Sequence, residues 1–314
     1  MQQHSFWLDA TDHTRLYVYA WLPDDEPRAV LMLAHGMAEH AGRYARLGAA
    51  LSEAGIALYA HDQRGHGKTA AQGTLGHFAQ QQGWSKVVGD LATLAQTIDE
   101  RHPQLPLFLL GHSMGSYIAQ AWLMHHGASL QGAILSGSNY QPAALYRAAR
   151  LIARLERLRQ GKQGRSALID RLSFGTFNKR FKPARTRFDW LSRDPLEVDN
   201  YLRDPLCGFH CTNQLWMDLL GGLQKISKPT ALAQIDPGLP LLIIGGGCDP
   251  VSDGKRLKHL THALSEVGHS ALRLKLYPDA RHELFNETNR DEVTRDLLEW
   301  LNFALEQPRP HRAE

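Results

Sequence analysis

Cysteine is scarce in this chain, with three in 314 residues, at positions 207, 211 and 248. An odd number without paired zinc-type spacing excludes a disulfide framework and a metal knuckle, and leaves free thiols. No window approaches the roughly 18 consecutive apolar residues of a spanning helix. The first residues, MQQHSFWLDATDHTRLYVYAW, lack a basic start followed by an apolar stretch, so no secretory signal is legible and a cytoplasmic location is expected. Charge of one sign is also lacking: the net value is +3, which gives no general case for a nucleic-acid partner. With 43% hydrophobic and 21% charged residues, the composition is globular and excludes disorder, collagen and a coiled coil.

What is present is a rhythm. Short apolar runs recur as RLYVYAWL, AVLMLAHG, GIALYAHD, LPLFLLGH, GAILSGS, LPLLIIGGG and LRLKLYPD. From the third to the sixth, helical candidates separate them, notably over 84–101 and 115–126. That alternation predicts an α/β fold with a mostly parallel sheet covered by helices on both faces. The rhythm breaks between about 138 and 237, where an inserted, mainly helical domain is expected. The expected organisation is a core over 1–137 and 238–306, an insertion over 138–237, and a polar tail over 307–314. Within the insertion, Leu145, Ala148, Leu151, Ile152, Leu155 and Leu158 form one helical stripe. This stripe is expected to face the functional site. From 138 to 236 the chain has 17 Lys and Arg against 9 Asp and Glu, so the insertion is the basic part of the molecule.

The chemistry centres on LFLLGHSMGSYIAQAW, residues 107 to 122. G-x-S-x-G alone is a weak signal, but here it joins a strand-like run to a helical one, as a nucleophile elbow requires. Glycine on both sides of Ser113 avoids clashes where strand and helix approach, and the strained turn lifts the hydroxyl to the sheet's C-terminal edge. The bland alternative is that Ser113 merely caps the following helix.

A serine hydroxyl needs a base to take its proton, and that base needs an orienting carboxylate. Asp249 follows the run LPLLIIGGG, and His282 follows LRLKLYPDA. Both thus sit in loops beyond strand ends, where they can converge with Ser113. Asp253 and Asp279 are the rival acids, with Asp253 expected to cap the next helix. Among the 17 histidines, His112 is expected to point away from the nucleophile. Backbone N–H groups of Met37, after the strand ending at Ala34, and of Met114 are the candidate oxyanion donors. Glu39 and His40 are read as structural.

Other motifs fail on inspection. RGHGKT at 64–69 lacks the upstream glycine of a phosphate loop, because Asp62 stands there. HELFN places Asn286 where H-E-x-x-H needs its second histidine. CGFHC offers Cys207, His210 and Cys211 without a fourth ligand, so packing is preferred.

HGMAEHAGRY at 35–44, DQRGHG at 62–67, GHSMG, GGGCDPV and YPDARHELFNE together resemble the monoacylglycerol lipase and lysophospholipase branch of the α/β-hydrolase superfamily. The resemblance runs from residue 35 to about 287. It implies an α/β-hydrolase fold with an inserted helical cap, and a serine hydrolase that needs no cofactor and no metal. The expected substrate is a small-molecule acyl ester, with peripheral contact to a lipid surface. It carries the triad to Ser113, Asp249 and His282, and the oxyanion donors to Met37 and Met114. Two alternatives remain open: an aminopeptidase or amidase on the same triad, and a non-catalytic binding protein of the same fold.

Overall fold

A computed structural model describes residues 1–308. Eight strands form one sheet: β1 (Gln2–Asp9), β2 (Arg15–Leu22), β3 (Ala29–Ala34), β4 (Ile56–His61), β5 (Leu107–His112), β6 (Gly132–Ser136), β7 (Leu241–Gly246) and β8 (Leu272–Tyr277). Their spatial order is β1-β2-β4-β3-β5-β6-β7-β8. β1 and β2 are antiparallel to their neighbours, whereas every pairing from β4 to β8 is parallel.

Seven of these strands are the apolar runs read from the sequence. β3 to β7 are buried along their whole length, as a sheet covered on both faces requires. The exception is β1, which no apolar run announces. It is an edge strand, mostly exposed, and only Phe6 and Leu8 turn inward to pack on the core.

Helices cover the sheet: α1 (Ala45–Glu53), α2 (Gly83–Arg101) and α3 (Met114–His126) lie between successive strands, while α9 (Lys255–Glu266) and α10 (Arg290–Leu305) follow β7 and β8. Between β6 and β7 run α4 (Ala143–Gln160), α5 (Ala167–Leu172), α6 (Pro195–Arg203), α7 (Asn213–Ile226) and the single turn α8 (Pro229–Leu232). The expected helices 84–101 and 115–126 thus appear as α2 and α3, each starting one residue early.

α4 corrects one expectation. It packs along α7 and buries Tyr146, Ala153 and Glu156, while Leu145, Leu151, Ile152, Leu155 and Leu158 are exposed, Leu158 to 72%. The leucine stripe therefore faces solvent and not the functional site. Periodicity defines a stripe but not its direction, and α7 meets α4 on the other side. Among the described residues, no helix is long and apolar enough to cross a membrane. The expected polar tail lies, from residue 309 on, outside the described residues.

Candidate active site

The turn from β5 into α3 sets the site. Ser113 occupies the N-cap position of α3 with φ 50° and ψ −118°, a conformation that side chains other than glycine adopt only under strain. Its hydroxyl makes no capping bond to the helix, so the capping alternative is excluded. The flanking glycines are there for space. A Cβ on Gly115 would overlap the Ala34 carbonyl oxygen, and one on Gly111 would stand 2.5 Å from the Gly115 carbonyl oxygen. The serine is half-buried at the wall of a cavity of about 690 Å³, its open mouth included.

His282 lines the same cavity. Its Nδ1 donates to Asp249 Oδ2 at 3.0 Å, and both side chains are buried. Asp249 also accepts the Val251 N–H and the Ser252 hydroxyl, each at 2.8 Å. Burial alone would raise the Asp249 pKa, but the charge of His282 and these hydrogen bonds hold it below the ordinary carboxylate range. Burial likewise opposes charge on His282, yet the Asp249 charge and hydrogen bond outweigh it and raise that imidazole above its usual value. The structure thus brings Asp249 to His282, and His282 to the cavity wall that carries Ser113. The rivals do neither: Asp253 pairs with Arg180 at 2.6 Å, and Asp279 is exposed. Asp253 does not cap α9, whose N-cap is Gly254.

His112 does not point away. Its ring centroid lies 4.8 Å from that of His282, it lines the cavity, and Nδ1 sits 3.3 Å from the Ser136 hydroxyl. Burial first, then the neighbouring His282, lowers its pKa to about 3, so it is a neutral wall.

Met37 also lines the cavity, and Met114 is the buried first residue of α3, where main-chain N–H groups have no intrahelical partner. The loop bearing Met37 is held from several sides. Glu39 accepts the Gly36 N–H at 2.6 Å and the Tyr44 hydroxyl at 3.0 Å. Arg43 bridges Glu39 at 2.9 Å and grips Glu283 with two bonds of 2.6 Å. Burial would raise Glu283, but Arg43 draws it down to about 2. Glu39 is therefore structural, as expected. Two donors from the segment between β6 and β7, the Tyr201 hydroxyl at 2.8 Å and the Gly208 N–H at 2.9 Å, converge on the Ala38 carbonyl. Ala38 itself adopts φ 55°.

The same segment supplies much of the cavity's apolar lining, including Phe174, Phe188, Trp190 and Phe209. Trp190 packs against His282 with ring centroids 5.1 Å apart. Sequence reasoning missed Tyr201, Trp190 and the Arg43–Glu283 pair. Residues 43 and 283 are 240 apart in the chain, and no local pattern marks such a contact.

An open parallel sheet with antiparallel β1 and β2, a strained serine at the β5–α3 turn and a buried His–Asp pair at the ends of β7 and β8 define an α/β-hydrolase. A family model described as serine aminopeptidase, S33, matches residues 25–289. The monoacylglycerol lipase of Mycolicibacterium smegmatis is 31% identical over 304 residues, covering 95% of this chain and 96% of its own. The chain belongs to this family, in its monoacylglycerol lipase-like branch, and is a hydrolase. It is also similar to human monoglyceride lipase, at 27% identity over 94% of this chain and 88% of that one. Among solved structures, the thermostable carboxyl esterase of Bacillus coagulans in complex with glycerol superposes with a TM-score of 0.89 at 27% identity, covering 97% of this chain and 99% of that one.

Proposed function

We propose that this protein is a carboxylic ester hydrolase that works through Ser113, His282 and Asp249. The observation that carries the proposal is the buried hydrogen bond that His282 Nδ1 donates to Asp249, with His282 lining the same cavity as Ser113. With Nδ1 committed to the carboxylate, Nε2 of His282 is the base. It takes the Ser113 hydroxyl proton as Oγ bonds to the ester carbonyl carbon. The carbonyl oxygen becomes an oxyanion, held by the N–H groups of Met37 and Met114 at a helix N-terminus. The tetrahedral intermediate collapses as His282 returns the proton to the leaving alcohol, leaving Ser113 acylated. Water, deprotonated by the same imidazole, then adds to the acyl carbon, and as the C–Oγ bond breaks His282 returns that proton to Ser113 Oγ and the acid leaves. None of these steps calls for a cofactor.

The substrate reading is an acyl ester of monoacylglycerol type, supported by the relatives named above and by the aromatic lining of the cavity. Each methylene buried there contributes about 0.8 kcal/mol, so acyl length governs selectivity. Residues 138–237 act as a cap over a core of 1–137 and 238–306. The exposed leucines of α4 touch a lipid surface, since Arg147, Arg150, Arg154 and Arg157 line a groove shared with Leu151. An amphipathic helix of this composition binds anionic bilayers.

The test pairs a fluorophosphonate probe with a substrate panel of monoacylglycerols, p-nitrophenyl esters and aminoacyl amides. The wild type is expected to be labelled at Ser113 and to prefer esters. Ser113→Ala should stay folded and lose activity by about 10⁴-fold or more. Near wild-type turnover in that variant would sink the triad assignment, and preference for the amides would move the enzyme to peptide bonds.

A further inference from the structure

Beside the cavity, the loop after β3 and the turn after α6 bring together three side chains that the hydrolytic reading does not use. His40 Nε2 lies 2.8 Å from Asp204 Oδ2. One ligand atom from each of His40, Asp204 and Cys207 falls within 4.8 Å of the other two. His40 and Asp204 are 164 residues apart in the chain, which places the cluster beyond any spacing rule. The CGFHC motif had suggested a different set. In the fold His210 leaves it to pair with Asp170 at 3.2 Å.

We propose that His40, Asp204 and Cys207 form a binding site for a divalent transition metal ion of the zinc type. The donor set is the first argument. One imidazole, one carboxylate and one thiolate suit zinc or cobalt, whereas calcium and magnesium take oxygen ligands. Geometry is the second. Zinc bonds of about 2.0–2.3 Å in a tetrahedron put ligand atoms roughly 3.3–3.8 Å apart. To reach that, the His40–Asp204 pair opens from 2.8 Å by about half an ångström, and the widest spacing, at most 4.8 Å, closes by up to about one. Water fills the fourth position.

The surroundings supply a path and a support. The Asp204 side chain is 31% exposed and that of His40 13%, while Cys207 is buried beneath them. An ion therefore enters from the carboxylate side. The turn bearing two of the ligands is already formed: Asp204 Oδ1 accepts the Leu206 N–H at 2.8 Å, and its carbonyl accepts the Cys207 N–H at 3.0 Å. Such outer bonds orient ligands in metal sites.

Binding is balanced in protons. The Cys207 Sγ proton leaves to solvent as the metal–sulfur bond forms. The His40 proton now facing Asp204 moves from Nε2 to Nδ1, a buried nitrogen without a hydrogen-bond partner, so that Nε2 offers its lone pair. The bound ion ties the loop after β3 to the segment between Tyr201 and Gly208, the two residues that hold the Ala38 carbonyl. Occupancy should accordingly raise Tm by several degrees.

The experiment is titration of metal-free protein with Co²⁺, read by absorption. One equivalent should produce a near-ultraviolet thiolate-to-cobalt charge-transfer band, which Zn²⁺ then abolishes by displacement. Cys207→Ser should remove the band, and Cys248→Ser should leave it. His40→Gln and Asp204→Asn should weaken affinity at least tenfold. Should Cys207→Ser fail to fold, the Asp204→Asn result decides, because that side chain reaches the surface. A titration without the charge-transfer band, a band that survives in Cys207→Ser, a band lost in Cys248→Ser, or unchanged affinity in Asp204→Asn would each overturn the proposal.

Discussion

His112 and His282 stand ring to ring, 4.8 Å apart, and their basicities move in opposite directions. Burial takes His112 down to about 3, whereas Asp249 lifts His282 above its ordinary value. Of the two, only His282 is held above the ordinary imidazole value. The protonated imidazole cannot accept the serine proton, so kcat/KM should fall on the acid side along one limb with a midpoint above about 6.5. Asp249→Asn should lower that midpoint as well as the plateau. His112→Gln should leave the midpoint within a few tenths of a unit. Rates from pH 5 to 9 on a soluble ester check both.

Ser113 trades stability for position. At φ 50° a residue other than glycine is strained by about 1–3 kcal/mol. Ser113→Gly recovers part of this against the entropy that glycine loses on folding. A net gain of about 1 kcal/mol, or about 2 °C in Tm for a chain of this size, is expected alongside loss of hydrolysis. Calorimetry of the variant beside Ser113→Ala is the check, since alanine keeps the strain and should show no gain.

Acid should unfold this protein through its histidines. His61 and His66 are fully buried and held down to about 4, chiefly by burial. His35 and His112 are lowered by the same cause. Because the folded values lie below the unfolded one near 6.5, their stabilising contribution is complete above that pH and is lost as pH falls toward 4. His282 has the opposite sign, but its contribution changes above about pH 6.5, so it does not act in this window. At about 1.4 kcal/mol per pH unit, His61 and His66 each withdraw about 3 kcal/mol by pH 4. Set against a usual total of about 5–15 kcal/mol, this puts the unfolding midpoint between about pH 4 and 5. Circular dichroism should show it, and His61→Phe, which removes a ring with both nitrogens unpartnered, should move it downward.

Leu155 and Leu158 on α4 are 58% and 72% exposed. Replacing both with serine keeps the charge and removes apolar area worth about 1.5–3 kcal/mol per leucine when buried in lipid. Affinity for phosphatidylglycerol vesicles should fall by tenfold or more in a sedimentation assay. Hydrolysis of a short soluble ester should not change. Equal vesicle binding by the two proteins would exclude α4 as the contact.

The parallel sheet and the elements around Ser113 were legible because their constraints are local. Buried strands must be apolar, and a tight strand-to-helix turn must have glycine where the backbones close. β1 was not legible, because an edge strand with only Phe6 and Leu8 inward carries no continuous apolar run. The direction of the α4 stripe was not legible either, since it depends on which face α7 occupies. His112 was misread for a related reason: a residue at a strand end takes its direction from neighbours such as Ser136 and His282, which the chain brings from far away.

The Ala38 carbonyl, gripped by Tyr201 and Gly208, makes the segment between β6 and β7 a structural parent of the cavity wall that carries Met37. A chimera that exchanges residues 138–237 for those of a relative therefore also exchanges a support of that wall. Unless the replacement brings its own phenol and its own amide to that oxygen, the loop bearing Met37 loses two of its anchors.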